Sequence, residues 1–201
     1  MSRLVTFGCS HTYGVGLKEP LKESWPSILG GLLNVKEVVN TSNPAASIKE
    51  ISHKIHCFNF HSTDIAVILW THLNRHCVVQ GNDYRQINPW FAETDPLSKH
   101  YYENLHNTED DRFQSLSFII SSDLVMQRQT RLTIHSFGDK VVCNLVKNYL
   151  HESTYFSKPF VHGYRHYGMT DDGTHLGSLS NSVFAKEIYY FIQGGRSIEV
   201  Y

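Results

Sequence analysis

The chain has 201 residues and a formal net charge of −1, with 41% hydrophobic and 18% charged residues. This composition suffices for the core of one domain and argues against a disordered chain. The near-neutral charge offers no broad surface for nucleic acid, so we expect no nucleic-acid partner. The first residues, MSRLVTFG, lack the apolar segment of a signal peptide, and no apolar run is long enough to span a bilayer. We therefore expect no membrane partner and a cytoplasmic protein, located in the host cytoplasm or the virion if its source is viral.

Taken in chain order, the hydrophobic pattern predicts strands that alternate with helices. The five predicted strands are Arg3–Phe7, Lys36–Asn40, Asp64–Trp70, Arg131–Phe137 and Pro159–Val161. The four predicted helices are Lys22–Leu33, Ser47–Phe60, Val141–Leu150 and Ser178–Ile192. This order predicts an α/β fold, a three-layer α/β/α sandwich with a central parallel sheet of about five strands.

One long segment departs from this alternation. Residues from about 77 to 111 are rich in Asn, Asp, His, Tyr and Pro and show little periodicity. A long loop inside a compact domain is usually a lid or a binding insertion. We interpret the segment as a loop-rich cap within a single domain that spans residues 1–201.

The stretch GCSHTYG directly follows the first predicted strand and therefore lies at the sheet edge where α/β proteins place their chemistry. It is not a nucleophile elbow, because Thr12 stands where the elbow has glycine, and no GK[ST] follows as in a phosphate-binding loop. Three interpretations remain: Ser10 is a nucleophile, Cys9 is one, or the stretch is only a tight turn. We expect the Cys9 side chain to point away from the Ser10 side chain and to pack under the loop.

A second polar stretch, DGTH, lies just before the last predicted helix. Asp172 and His175 are three residues apart and can share one face of a turn. A carboxylate that accepts from one imidazole nitrogen leaves the other nitrogen free as a base. Serine needs such a base, because its hydroxyl is a weak nucleophile on its own.

Together, FGCSHTYGVGL and the later DGTHL resemble the SGNH hydrolases, also called GDSL-type esterases and lipases. The variant that looks most similar is the G-C-S-x-T-Y-G group of small proteins frequent in phages and bacteria. The resemblance implies a flavodoxin-like α/β/α fold. It also implies that Ser10 is the nucleophile, that His175 is the base and that Asp172 orients His175.

The resemblance further implies an oxyanion hole. Its backbone donors would be the N–H groups of Ser10 and of Ala45, and the family usually has glycine at the second position. The stretch WTHLNR replaces the family's G-x-N-D, so the side-chain donor is open between Thr71 and Asn74. His11 and Arg75 are expected to line the substrate site.

These residues predict a serine esterase that acts on an O-acyl ester of a small molecule or carbohydrate, without a cofactor. The alternatives are an acyltransferase with the same triad and a non-catalytic module of the same fold, for example in a phage virion. The 13 histidines form pairs that could hold zinc, but none forms an H-E-x-x-H motif, and we expect no metal. These pairs are His72 with His76, His53 with His56, and His162 with His166. The sequence leaves the oligomeric state undetermined.

Overall fold

The computed structural model describes residues 2–194 except residues 82 and 153. Four parallel strands form the central sheet in the order β2-β1-β3-β6, and two antiparallel strands, β4 and β5, form a separate hairpin. The strands are β1 (Arg3–Phe7), β2 (Glu37–Asn40), β3 (Ile65–Trp70), β4 (His76–Gln80), β5 (Asp83–Ile87) and β6 (Leu132–Phe137).

The helices lie on both faces of the sheet, as the alternating order predicted. They are α1 (Ser10–Tyr13), α2 (Pro20–Glu23), α3 (Trp25–Leu32), α4 (Ile48–Cys57), α5 (Pro96–Asn104), α6 (Thr108–Gln129), α7 (Lys140–Val146), α8 (Phe160–Tyr164) and α9 (Ser178–Ile192). Helices α3 and α9 pack against each other on one face, and α4 and α6 pack against each other on the other. The fold is therefore the expected three-layer α/β/α sandwich.

The buried core is divided between the two faces by the alternation of side chains along the strands. In β1, Leu4 points into the cluster beneath α3 and α9, whereas Val5 and Phe7 point into the cluster beneath α4 and α6. Strand β3 is buried along its whole length because it lies inside the sheet and both of its faces are covered by helices.

The sheet has four strands rather than about five. The segment predicted as the last strand instead starts helix α8, whose N-cap is Pro159. The position beside β6 is occupied by a single residue pair, in which Tyr155 bridges His135. The His135 N–H donates to Thr154 O and the Phe156 N–H donates to His135 O, so the contact is strand-like for one residue only.

The segment that was expected to be rich in loops carries regular elements. It contains the β4–β5 hairpin, a 3-10 turn at Pro89–Phe91, helix α5 and the start of α6. The Tyr102 hydroxyl on α5 contacts Asn74 O at 2.5 Å and Ile87 O at 3.1 Å, which fastens the helix to the hairpin. No helix in the described part of the chain is both long and apolar enough to cross a membrane.

Candidate active site

Ser10 lies at the carboxyl edge of the sheet because the chain turns sharply after β1. A Cβ atom on Gly8 would lie 2.0 Å from Thr12 Oγ1 and 3.2 Å from the Leu69 carbonyl oxygen, so only glycine fits there. The short helix α1 starts at Ser10 and ends at Gly14, whose φ of 90° favours glycine. The turn therefore places Ser10 at the first position of a helical turn that faces out of the sheet edge.

Cys9 and Ser10 have different surroundings. Cys9 is buried in the hydrophobic cluster beneath α4, together with Ala46 and Ile48. Its thiol therefore packs under the loop, as expected. Ser10 is 8% exposed, and its hydroxyl makes no hydrogen bond to any of the described residues. Of the two side chains, only the serine is both polar and without a protein partner.

Asp172 and His175 form the predicted pair. The His175 Nδ1–H donates to Asp172 Oδ2 over 2.7 Å, which fixes the tautomer and leaves Nε2 without a proton. The other carboxylate oxygen, Oδ1, accepts from the N–H groups of Thr174 (2.8 Å) and His175 (2.9 Å) and from the Thr170 hydroxyl (2.7 Å). The Thr170 hydroxyl and these N–H groups hold the pKa of Asp172 well below its usual range.

The link between His175 and Ser10 is not closed. Among the described residues, no hydrogen bond joins Ser10 Oγ to His175 Nε2, although His11, the next residue after Ser10, contacts His175. The His11 ring packs edge-on against the His175 ring, with centroids 5.1 Å apart, and against Phe160 at 5.3 Å. Catalytic hydrogen bonds are often long before substrate binds and shorten in the complex.

His11 is a neutral side chain in this cluster. Burial is the main cause that lowers its pKa, to about 3, and the neighbouring His175 and Arg75 lower it further. A neutral imidazole beside His175 adds no charge that would oppose protonation of His175. His11 therefore packs against the His175 ring, and its role in lining a substrate site stays a prediction.

The two backbone N–H groups implied for the oxyanion hole are both available. Within the described residues, neither the Ser10 N–H nor the Ala45 N–H donates to a protein acceptor. Ala45 has a φ of 63°, a left-handed conformation that non-glycine residues rarely adopt. The alanine therefore keeps the backbone conformation that glycine favours, at the position where the SGNH hydrolases usually have glycine.

No model of a known protein family and no curated protein matches the sequence. Solved structures do match. A catalytic mutant of Axe2, an acetylxylan esterase from Geobacillus stearothermophilus, aligns with a TM-score of 0.59 and 12% identity over 99% of this chain and 97% of that chain. TesA aligns with a TM-score of 0.57 and 12% identity over 96% and 98%. A lipolytic protein of the G-D-S-L family from Veillonella parvula aligns with a TM-score of 0.53 and 11% identity over 92% and 95%.

The chain has the fold of the GDSL lipolytic esterases. The aligned structures are nearly as long as this chain, so the match covers the whole sandwich and not one part of it. At identities this low, the likeness shows the fold and leaves the site residues to be argued from their own geometry.

The stretch WTHLNR stands where the SGNH hydrolases have G-x-N-D, and three of its residues lie in different environments. Thr71 is 1% exposed, and its hydroxyl lacks a hydrogen-bond partner in the described chain. Asn74 is exposed, and its carbonyl oxygen is held by Tyr102. Arg75 lies over the Trp90 ring, 4.8 Å from its centroid, and its buried Nε and Nη1 atoms have no hydrogen-bond partner among the described residues. The exposure of Asn74 favours Thr71 over Asn74 as a buried donor.

Two features near the site were missed by sequence reasoning. Asn88 is fully buried, and its Nδ2 donates to Ala45 O at 3.4 Å, so a side-chain amide lies beside the Ala45 backbone. His72, two residues beyond β3, donates from Nδ1 to Asp139 Oδ2 at 2.5 Å. Burial raises the pKa of Asp139, but the hydrogen bonds from His72 and from the Val142 N–H outweigh burial and lower it. Part of the signal for this second pair was in the sequence, because His72 and Asp139 each lie two residues beyond a buried strand, but no local pattern joins them.

Proposed function

We propose that the chain is a serine esterase of the SGNH type, in the G-C-S-x-T-Y-G variant, that hydrolyses an O-acyl ester of a small molecule or carbohydrate. The observation that carries the proposal is the Asp172–His175 pair, which is fixed in the tautomer a general base needs. The fold supports it, because solved esterases share this sandwich. Ser10 is assigned as the nucleophile because the resemblance places the nucleophile at this position, shortly after β1, and its hydroxyl has no hydrogen-bond partner among the described residues.

The reaction follows from these positions. His175 Nε2 accepts the proton of the Ser10 hydroxyl while Oγ attacks the ester carbonyl carbon. The free N–H groups of Ser10 and Ala45 stabilise the oxyanion. The protonated His175 then donates to the leaving alcohol, and a water molecule repeats the sequence on the acyl-enzyme to release the acid. Asp172 orients His175 and stabilises its charged form throughout.

The substrate is proposed from the site and the fold neighbours. One neighbour is named as an acetylxylan esterase, which supports an acyl group on a carbohydrate. Trp90 is half exposed and stacks on Arg75, and such an aromatic surface suits a sugar ring or another flat group. We therefore propose an ester of a small molecule or carbohydrate as the partner, and no nucleic acid.

The test is turnover of p-nitrophenyl acetate by the wild type and by Ser10→Ala, His175→Ala and His72→Ala. We expect Ser10→Ala and His175→Ala to lose almost all turnover and His72→Ala to retain most of it. His162→Ala, at an exposed histidine on α8, is the matched control and should be unchanged. A fluorophosphonate probe should label Ser10 and no other residue.

Each outcome decides a different point. Equal rates in the wild type, Ser10→Ala and His175→Ala would reject hydrolysis and favour the non-catalytic module. Loss of turnover in His72→Ala with retention in His175→Ala would move the base to the pair that His72 forms with Asp139. A label on another residue would move the nucleophile.

A further inference from the structure

Two histidines and an aspartate, none of them assigned to ester hydrolysis, meet in the cap. His76 is the first residue of β4, His106 lies in the connection between α5 and α6, and Asp111 lies in the first turns of α6. Their ligating atoms all lie within 4.8 Å of one another. The three residues thus come from three separate elements and converge on one point.

The Asp111 carboxylate is the centre of the group. It is 2% exposed, and its Oδ2 accepts from His106 Nε2 at 2.9 Å. The other oxygen, Oδ1, lies 3.0 Å from His76 Nε2, yet the angle between them is wrong for a hydrogen bond. Both atoms are buried and neither has another hydrogen-bond partner in the described chain. A buried carboxylate oxygen and a buried imidazole nitrogen therefore face the same small space without a partner.

The spacing fits a divalent ion with nitrogen and oxygen ligands. Bonds of about 2.0–2.2 Å in a tetrahedral zinc site separate neighbouring ligand atoms by about 3.3–3.6 Å. The two His–Asp separations, 2.9 Å to Oδ2 and 3.0 Å to Oδ1, are shorter than this by about 0.3–0.7 Å, and the three ligand atoms all lie within 4.8 Å of one another. Small side-chain rotations that widen the two short separations and close the remaining one would admit the ion. Two imidazoles and one carboxylate suit zinc better than magnesium or calcium, which prefer oxygen ligands.

We propose that His76, His106 and Asp111 form a zinc site that ties the β4 strand and the α5–α6 connection to helix α6. Three protein ligands leave a fourth position, which a water molecule can fill beside the exposed His106. The rings of Tyr101 and Tyr102 pack around the histidines, with centroids 4.7 Å from His76 and 5.3 Å from His106, respectively, and cover other sides of the site. The ion holds the cap on the sandwich and takes no part in ester hydrolysis.

This assignment changes the interpretation of the histidine pairs in the sequence. His72 and His76 are four residues apart, but they do not act as a pair. His72 binds Asp139, whereas His76 turns to Asp111, because the chain leaves β3 and enters the β4 hairpin between them. The third ligand, His106, lies 30 positions further along the chain, so no short motif joins the three.

The test is binding of Zn²⁺ to the full-length protein after treatment with EDTA and dialysis. We expect one equivalent to bind by calorimetry, the melting temperature to rise, and Co²⁺ to give the visible absorption of a tetrahedral site. His106→Gln and Asp111→Asn should weaken binding at least about 10- to 100-fold, the range seen when only a residue that hydrogen-bonds to a metal ligand is lost. His100→Gln, at an exposed histidine on α5 in the same cap, is the matched control and should bind as the wild type does.

Two results would overturn the proposal. The first is a wild type whose melting temperature and calorimetric signal do not respond to Zn²⁺, which would leave only a hydrogen-bonded His–Asp–His cluster. The second is unchanged binding in His106→Gln, which would place the ion among the other histidines. Because His106 is exposed, this variant should fold even if Asp111→Asn does not, so the test does not depend on the buried carboxylate.

Discussion

Asp172→Asn is the sharpest test of the proposed mechanism, because the structure fixes how the amide must sit. Oδ1 of Asp172 accepts from two backbone N–H groups, of Thr174 and His175, and these cannot rotate. The amide oxygen of asparagine must therefore occupy that place, and its NH₂ group must face His175 Nδ1. Nδ1 then has to accept a hydrogen bond rather than donate one, so Nε2 carries the proton and the base is lost.

The expected loss is large. In serine hydrolases with the same arrangement, the wrong tautomer lowers kcat by about 10⁴, or about 5 kcal/mol of transition-state stabilisation. We expect a loss of this order in kcat/KM for p-nitrophenyl acetate, with no change in the melting curve large enough to explain it. The matched control is Asp171→Asn, one position earlier in the same turn, where the carboxylate is exposed.

Two results would refute this reasoning. Retention of more than about a tenth of the wild-type kcat/KM in Asp172→Asn would mean that the tautomer of His175 does not limit catalysis. An equal loss in Asp171→Asn would mean that the turn as a whole, and not the single hydrogen bond, is what matters.

Three further changes test the surroundings of the site. The pKa of His11 is about 3 in the folded chain against an ordinary 6.5. The unfolded chain therefore binds more protons between these values. The free energy of unfolding should fall as pH drops from 6.5 towards 3, on the order of 1 kcal/mol per pH unit. In His11→Phe, urea titrations at several pH values should show a shallower dependence of the free energy of unfolding on pH. Ala45→Gly removes the strain of a left-handed backbone, about 1–2 kcal/mol, but the added conformational entropy of the unfolded chain costs about 0.5–1 kcal/mol. The melting temperature should therefore rise by about 2–4 °C or less, and a fall would show that no strain exists. His135→Leu leaves the buried Trp70 Nε1 and Asp123 Oδ1 without their shared hydrogen-bond partner. The free energy of unfolding in urea should fall by at least about 3 kcal/mol. A fall below about 1 kcal/mol would show that these two hydrogen bonds are dispensable.

The elements that the sequence predicted best were those with a clean hydrophobic pattern. The strand at Ile65–Trp70 is an unbroken apolar run, and the last helix has the predicted bounds of Ser178–Ile192. The predicted helix Lys22–Leu33 divides into α2 and α3 at Ser24, because Pro26 favours a new helix start there.

The longest helix, α6, was not predicted at all. Its buried face carries Asp111, Ser115, Ser122 and Asp123 beside only two apolar residues, so its hydrophobic periodicity is weak. Two of those polar side chains have tertiary partners that satisfy them. Ser122 donates to Ser52 on α4, and Asp123 accepts from His135 on β6. A pattern of apolar residues cannot reveal a helix whose contacts are made by hydrogen bonds.

The candidate site shows the same contrast between residues that a local motif reveals and residues that only tertiary contacts bring together. Ser10, Asp172 and His175 could be chosen from the sequence because each follows a strand or precedes a helix in a short motif, and their roles stay predictions until the variants are assayed. His72 and Asp139 were equally well placed but lie in no motif. Their pairing requires β3 and β6 to be neighbours, and this adjacency is a fact of topology that local patterns do not contain.

The departures of this chain from the pattern that the resemblance implies fall around the proposed oxyanion hole, and part of the cap lies beside it. Ala45 keeps a left-handed backbone, and the amide that contacts its carbonyl comes from Asn88, which follows the hairpin. In the block that replaces G-x-N-D, Thr71 is buried and Asn74 is turned to solvent. The side-chain amide that contacts this backbone thus belongs to the insertion and not to the strand end. Sequence motifs alone would miss it, since Asn88 lies outside the motifs that carry the resemblance.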